Sequence, residues 1–376
     1  MRIAMVTPGF SASDEDWCIP ALQDLACRLG ERHEVHVFAT TYPHRLSEYM
    51  VKGIRVSSFG DGRYTRLALM RQIWKTVAGI EAAHHDKPFD VLHGFWADQG
   101  GIVTTWAARR LSVPNIVTSM AGELTFEPLI GYGKRKRPIA GRMGRFGARS
   151  ADILIALSHF HAHRIKMEQP TLEPRVIPFG IDANRFSPRG SAQSLDGQIP
   201  VLSVGSLVPV KGHAIVLQAF AIASKQVAGL HLHIVGEGQL EPELRRHVED
   251  LGISREVSFH GHVEHHMLPR MYRGASFSVL GSYFESLGMV IPEAAACGLV
   301  TIGSAVGAAP DFCPEEFLSQ PGDSAALAAN MIKLATDCGI RKRLARNAVE
   351  KVHDGYVLEQ SIRAHEELYC CIKSRS

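Results

Sequence analysis

The chain has 376 residues, too many for one ordinary α/β domain and enough for two of about 100 to 200 residues each. With 45% hydrophobic and 21% charged residues it can bury sizeable cores, which excludes disordered and fibrous classes. A net charge of +3 is too small to indicate a nucleic-acid partner. No apolar run approaches the roughly 18 residues of a membrane-spanning helix. Met1 leads straight into the strand-like Arg2-Ile3-Ala4-Met5-Val6 with no signal-peptide pattern, so a cytoplasmic protein is expected. The cysteines (Cys18, Cys27, Cys297, Cys313, Cys338, Cys370, Cys371) are odd in number and form no Cys-x-x-Cys pair, which fits a reducing compartment and argues against a zinc ribbon.

In chain order, short β-branched runs alternate with longer helical patterns, the sign of parallel sheets covered by helices. Strands are predicted at 3–6, 35–39, 54–58, 90–93, 115–118, 153–156 and 176–177. Between the first two, Leu22, Leu25, Ala26 and Leu29 recur at helical spacing and predict a helix over 17–29. A polar stretch with Pro, Gly and Ser at 188–199 reads as a linker, closing an N-terminal Rossmann-like domain at 1–187. Strands restart at 201–204, 231–235, 257–259, 277–280 and 300–302, giving a second domain at 200–355, and 357–372 is a last helical pattern within a C-terminal segment at 356–376. The expected class is therefore α/β, two doubly wound Rossmann-like domains facing a central cleft. In such sheets ligands sit beyond the carboxyl ends of strands, so the loops after Val6, Val204, Val235 and Leu280 are the places to seek chemistry.

After Val204 the sequence reads Gly205-Ser206-Leu207-Val208-Pro209-Val210-Lys211-Gly212 and enters a helical pattern through Leu217, Phe220 and Ala221. Free N–H groups at a helix start, with a lysine beside them, attract a phosphate. At about 4 Å and an effective dielectric near 20, that ammonium contributes up to about 4 kcal/mol per phosphate charge. After Leu280, Glu285 and Glu293 flank a segment whose Pro292 fits only the first turn of a helix, which places the helix start near Gly288 or Met289. Eight residues at helical rise span about 12 Å. That exceeds the roughly 5 to 9.5 Å of a hydrolytic carboxylate pair, so the two glutamates are expected to do different work.

These residues resemble the retaining glycosyltransferases of family 4 (group 1 glycosyltransferases), which have the GT-B fold. The resemblance covers most of the chain. It is carried by Ile177-Pro178-Phe179-Gly180-Ile181-Asp182 with Arg185-Phe186, by Val204-Gly205 with Lys211-Gly212, and by Ile234-Val235-Gly236-Glu237-Gly238. It continues through Phe259-His260-Gly261-His262-Val263, the segment from Glu285 to Glu293, and Glu293-Ala294-Ala295-Ala296-Cys297-Gly298. It implies transfer of a hexose-type sugar from a nucleotide sugar to a glycan, lipid or small-molecule acceptor, with the anomeric configuration retained. Lys211 would grip the donor diphosphate, and Glu285 with the backbone of Ser286, Leu287 and Gly288 would hold the sugar. The N–H groups of Met289 and Val290 would face the phosphates, Glu293 would bind the ribose, and backbone near Val263 would meet the base. Gly9 and Gly205, with Ser206, complete the expected donor set. Neither a metal nor another cofactor is implied, and the last helix is expected to cross back to the N-terminal domain.

The chain departs from that pattern in three places. An arginine usual before the lysine is Ser206 here, a histidine usual before a glycine is Ala121 in Met120-Ala121-Gly122, and a glycine pair in the first loop is reduced to Pro8-Gly9-Phe10. A silenced relative that only binds a nucleotide sugar, and a nucleotide-sugar epimerase or hydrolase, are therefore alternatives. A nicotinamide dehydrogenase is disfavoured because neither first-strand loop carries Gly-x-Gly-x-x-Gly. The histidines at 159, 161 and 163 and at 260, 262, 265 and 266 show no evident third ligand for a metal. Between Lys134 and Arg149 there is no acidic residue; this stretch, with Arg142, Arg145 and Arg149, is either a solvated face or a platform for an anionic acceptor or the inner surface of a membrane.

Overall fold

The computed structural model describes residues 1–63 and 65–374. Two compact units form, one from Met1–Phe126, Gly131–Gly180 and Leu358–Ser376, the other from Glu127–Ile130 and Ile181–Val357. The division at Gly180 comes ahead of the polar 188–199 stretch. That stretch and the residue before it are anchored to the second unit: the Arg273 guanidinium donates to Ser187 O (3.0 Å) and Ser191 O (2.9 Å), and Gln193 N donates to Arg270 O (2.9 Å).

In the first unit eight strands run β1 (Arg2–Gly9), β2 (Glu34–Tyr42), β3 (Leu46–Val51), β4 (Ile54–Phe59), β5 (Val91–Phe95), β6 (Asn115–Thr118), β7 (Ile153–Ala156) and β8 (Arg175–Val176). They lie in the order β3-β4-β2-β1-β5-β6-β7-β8, parallel except for β3 against β4. The helices are α1 (Pro20–Gly30), α2 (Arg66–Asp86), α3 (Gly101–Leu111), α4 (Pro138–Ser150) and α5 (His159–Glu168). Helix α1 begins at Pro20, not at Trp17, because the proline ring presets the first turn; Leu22, Leu25, Ala26 and Leu29 are its buried stripe. Strand β3 was not visible in the sequence pattern. It is an edge strand whose outward Leu46 and Met50 are exposed, so its alternation carries no apolar-polar contrast.

The second unit repeats the plan with β9 (Ile199–Val204), β10 (Leu230–Val235), β11 (Val257–Phe259), β12 (Phe277–Leu280), β13 (Thr301–Ser304) and β14 (Leu318–Ser319). The order β11-β10-β9-β12-β13-β14 is parallel throughout and reverses direction at β9. Its helices are α6 (His213–Ser224), α7 (Glu241–Asp250), α8 (Leu268–Gly274), α9 (Val290–Ala296), α10 (Ala309–Phe312), α11 (Ser324–Thr336) and α12 (Cys338–Gly355). Val201, Phe220, Leu232, Phe277, Ile302 and Met331 are fully buried between sheet and helices. Each large apolar side chain so buried contributes about 1.5–3 kcal/mol. The final helix, α13 (Leu358–Lys373), belongs to the first unit, where Tyr369 Oη lies 2.8 Å from His93 Nδ1 and Ser361 Oγ donates to Pro178 O (2.8 Å).

Several histidines are buried within these units. Burial pushes His36, His213 and His365 down to about 4 and His161 to about 3, from 6.5. Their folded-state values lie below the unfolded one, so the unfolded chain binds more protons once the pH drops below about 6.5. Stability is complete above that pH and is lost progressively down to about 4. For a fully buried group such as His365 the loss is about 3 kcal/mol. Urea-denaturation midpoints should therefore fall between pH 7 and 4.5, and His365→Phe should make that fall shallower. A pH-independent midpoint would contradict neutral burial of these rings.

Candidate functional site

The strand-order reversal in the second unit directs attention to the ends of β9 and β12. After β9 the chain passes Gly205, exposed Ser206 and a single 3-10 turn at Pro209–Lys211 before entering α6 at His213. After β12 it runs through Gly281 to Glu285. The two loops touch backbone to backbone. Tyr283 N donates to Val210 O (2.8 Å), and Gly212, at φ 60°, leaves so little room that a Cβ there would fall 1.9 Å from Gly281 O. Only glycine satisfies both the left-handed backbone and this approach.

That contact aligns Lys211 with Glu285: Lys211 Nζ donates to Glu285 Oε1 at 2.6 Å. Ser282 Oγ donates to the same oxygen (2.8 Å). Glu285 is 7% exposed, whereas the Lys211 side chain is 25% exposed, so the cation remains reachable while its partner is fixed. A buried carboxylate without a partner costs several kcal/mol, which makes the pair mutually dependent. Beyond it, Ser286 is half-buried, Leu287 buried, and Gly288 turns the chain at φ 75°. The helix α9 then begins at Val290 with Met289 flanking it, within two residues of the expected start, and Pro292 lies in the first turn. The N–H groups of Met289 and Val290 thus fall where helix geometry supplies no intrahelical acceptor.

Glu293 follows in α9, 4% exposed. Its Oε2 accepts from Tyr272 Oη (3.1 Å) and its Oε1 lies 2.9 Å from His265 Nε2. Burial first, then Glu293, drives the Tyr272 hydroxyl well above its usual range, so it remains a donor. Arg185 Nη1 reaches His265 Nδ1 at 3.3 Å. Val263 is half-buried in the loop leading to His265. Residue patterning did not single out His265, Tyr272 or Ser282 as site groups. Tyr272 reads as one more core position of α8, a lone serine carries no spacing signal, and His265 stands out only as a metal-ligand candidate within its histidine cluster.

Gly9, Arg142, Arg145 and Arg149 lie in the other unit. Gly9 lines a cavity of about 480 Å³ at the carboxyl ends of β1, β2 and β5, together with Tyr42, Arg63, Gln72, Trp96 and Gln99. Trp96 has φ 64°, a strained backbone for an aromatic residue, and opens a π-helical turn, Trp96–Gly100. Glu123, raised by burial and by Asp98, ties this turn to the next loop: it accepts from the N–H groups of Ala97 (3.1 Å), Met120 (2.8 Å) and Ala121 (2.8 Å). Ala121 therefore contributes its backbone here. The basic stretch is less uniform than its sequence: Lys134 pairs with Asp98 (2.6 Å) and Arg135 with Glu168 (3.2 Å), and Arg145 is half-buried, leaving Lys136, Arg137, Arg142 and Arg149 exposed. Among the described residues, no group of three or more His, Cys, Asp or Glu is placed to hold a metal ion.

Residues 188–351 match the family described as glycosyl transferases group 1, and residues 19–180 match a glycosyl transferase 4-like domain. The chain is 31% identical over 316 residues to D-inositol 3-phosphate glycosyltransferase of Geodermatophilus obscurus, spanning 76% of this chain and 69% of that protein. Sucrose-phosphate synthase from Thermosynechococcus elongatus superposes with a TM-score of 0.83 at 21% identity, over 100% of both chains. Anabaena HepE in complex with UDP and glucose superposes at 0.76 and 18% identity, over 99% of this chain and 100% of that one. These likenesses give the fold as GT-B.

The close approach at Gly212 has a mechanical consequence. Gly252 is also left-handed, at φ 70°, but a Cβ there would meet nothing within 4 Å. Gly252→Ala should cost only the backbone penalty of about 1–2 kcal/mol. Gly212→Ala adds a clash with Gly281 and should destabilise more, read as a lower urea midpoint. Equal midpoints for the two variants would contradict the packed-loop geometry.

Proposed function

The chain belongs to the group 1 glycosyl transferases, and from that footing we propose that it moves a hexose-type sugar from a nucleoside-diphosphate sugar to an acceptor with retention of configuration, as family 4 enzymes do. The observation that carries this reading is the Lys211–Glu285 pair at 2.6 Å, a reachable cation backed by a buried carboxylate at the strand-order reversal. An incoming diphosphate supplies Lys211 with a stronger anionic partner. Glu285, still held by Ser282, is then free to accept from sugar hydroxyls. The carboxylate of Glu293, steadied by Tyr272 and His265, suits the ribose hydroxyls, and backbone near Val263 suits the base. As the bond from the anomeric carbon to the diphosphate breaks, the charge growing on the leaving oxygens is what Lys211 stabilises. The acceptor oxygen bonds to that carbon from the same face, and its proton passes to the departing diphosphate, so no protein nucleophile is needed.

The cavity at Gly9, a residue expected to serve the donor, is walled by Tyr42 and Trp96 with polar Gln72 and Gln99, and those walls also suit the ring of a glycan or small polyol acceptor. The Geodermatophilus obscurus relative is named for D-inositol 3-phosphate, a phosphorylated polyol. Exposed Ser206 favours a second reading, a catalytically weakened relative, since a second cation at that position is missing.

Lys211→Ala should lower kcat/KM by one to three powers of ten, through both donor affinity and turnover. Glu285→Gln should depress kcat while nucleoside diphosphate binds almost as before. Ser206→Arg should raise donor affinity or rate. Steady-state kinetics with a nucleotide-sugar donor separates these outcomes; Lys211→Ala turning over like the parent would refute the assigned role. Turnover should also persist after chelation, and activity lost with chelator and restored by one divalent ion would overturn the metal-independent mechanism.

A further inference from the structure

We propose that the face formed by α2, α3 and α4 of the first unit docks on an anionic lipid surface. This inference is independent of the donor site. The inner sides of α2 and α3 are spent on the core, where Ile73, Val77, Ile102 and Val103 pack beside Val6 and Leu92. Their outer side is not uniformly polar, as an ordinary solvated helix face would be, but mixes apolar and basic side chains. On α2, Leu67, Met70 and Trp74 recur at helical spacing and are 74%, 40% and 46% exposed; on α4, Ile139 and Phe146 are 50% and 37% exposed.

The two apolar groups belong to one surface because α3 joins them. Trp106 of α3 stacks on Trp74 with ring centroids 4.9 Å apart, and the Arg110 guanidinium lies over Trp74 at 5.2 Å. Arg109, its neighbour, lies over Phe146 of α4 at 5.4 Å. Exposed cations flank the patch: Arg71 and Lys75 on α2, Arg142 and Arg149 on α4. Glu81 pairs with Arg110 at 2.9 Å and partly offsets the charge at this seam.

Exposed Leu, Met, Trp, Ile and Phe interleaved with Arg and Lys match what a bilayer interface rewards. Apolar tips enter the boundary between headgroups and acyl chains, while long basic side chains reach anionic headgroups. Nucleic acid would use the cations but gain nothing from Leu67 or Ile139. A second copy of the chain would bring the same cations face to face, at a repulsive cost. The combination therefore selects an anionic lipid surface.

Full-length protein should cosediment with vesicles containing anionic phosphatidylglycerol and far less with pure phosphatidylcholine. Trp74 in contact with lipid should shift tryptophan emission to the blue, a shift that Trp74→Phe reduces. Arg142→Gln with Arg149→Gln should weaken the partition coefficient roughly tenfold or more, since each basic group at such a surface carries about a factor of five. Leu67→Gln with Met70→Gln, both at exposed positions, should weaken it without changing Tm. Equal binding to neutral and anionic vesicles, or unaltered partitioning of both double variants, would overturn the proposal. So would a dimer in sedimentation velocity that Leu67→Gln dissociates, because the face would then be a self-contact.

Discussion

The approach of Gly212 to Gly281 is the constraint on which the candidate donor site depends. Two loops from adjacent strands of a parallel sheet ordinarily diverge as side chains keep their backbones apart. Here neither loop has a side chain at the contact, and the Tyr283 to Val210 hydrogen bond closes it. Lys211 and Glu285 are then opposed with little conformational entropy left to lose. The pair stores an arrangement in which the cation is partly open and the carboxylate is almost wholly buried. Under the proposed function a ligand anion would take Glu285's place on Lys211 without rebuilding the loops, and in that sense the site would be preorganised.

The same logic, a buried carboxylate organising its surroundings, recurs with different partners. Glu293 is steadied by a phenol and an imidazole, and Glu123 in the first unit by three backbone N–H groups. Among the described residues no cation pairs with Glu123, and its carboxyl is raised by burial; its oxygens pin the loops around the strained Trp96. Glu285 alone has a lysine. Of these three glutamates, then, only Glu285 is paired with a lysine that stays partly open to solvent, the feature on which the proposed donor role rests.

Much of this was legible in the sequence. Buried parallel strands need β-branched runs, so most strands of both sheets could be read to within a few residues, and Pro292 announces its helix, whereas the apolar spacing sets the start of α1 at 17 although Pro20 starts it. Of the edge strands β8 and β11 were legible and two were not: β3 has apolar residues on its exposed side, and β14 is two residues long. The Gly and Lys positions of the β9 loop could be read because a tight turn and an exposed cation each demand one residue type. The partners of Glu293 could not, since His265 and Tyr272 are brought to it by tertiary packing of the segment before α8 and of α8 itself. The Lys211–Glu285 bond was likewise hidden. Sequence assigned the two residues to different parts of a ligand, whereas the ligand-free loops make them each other's partners.

The central claim is that this paired loop structure is a nucleoside-diphosphate site. Its most direct test is thermal unfolding of the parent protein across a panel of nucleosides, nucleoside diphosphates and nucleotide sugars. A ligand at one hundred times its dissociation constant stabilises by about 2.7 kcal/mol, a plainly resolved shift in Tm. The account predicts that at least one nucleoside diphosphate and its sugar raise Tm together while the bare nucleoside does not. A panel in which no diphosphate raises Tm, or in which the nucleoside does so equally, would contradict it.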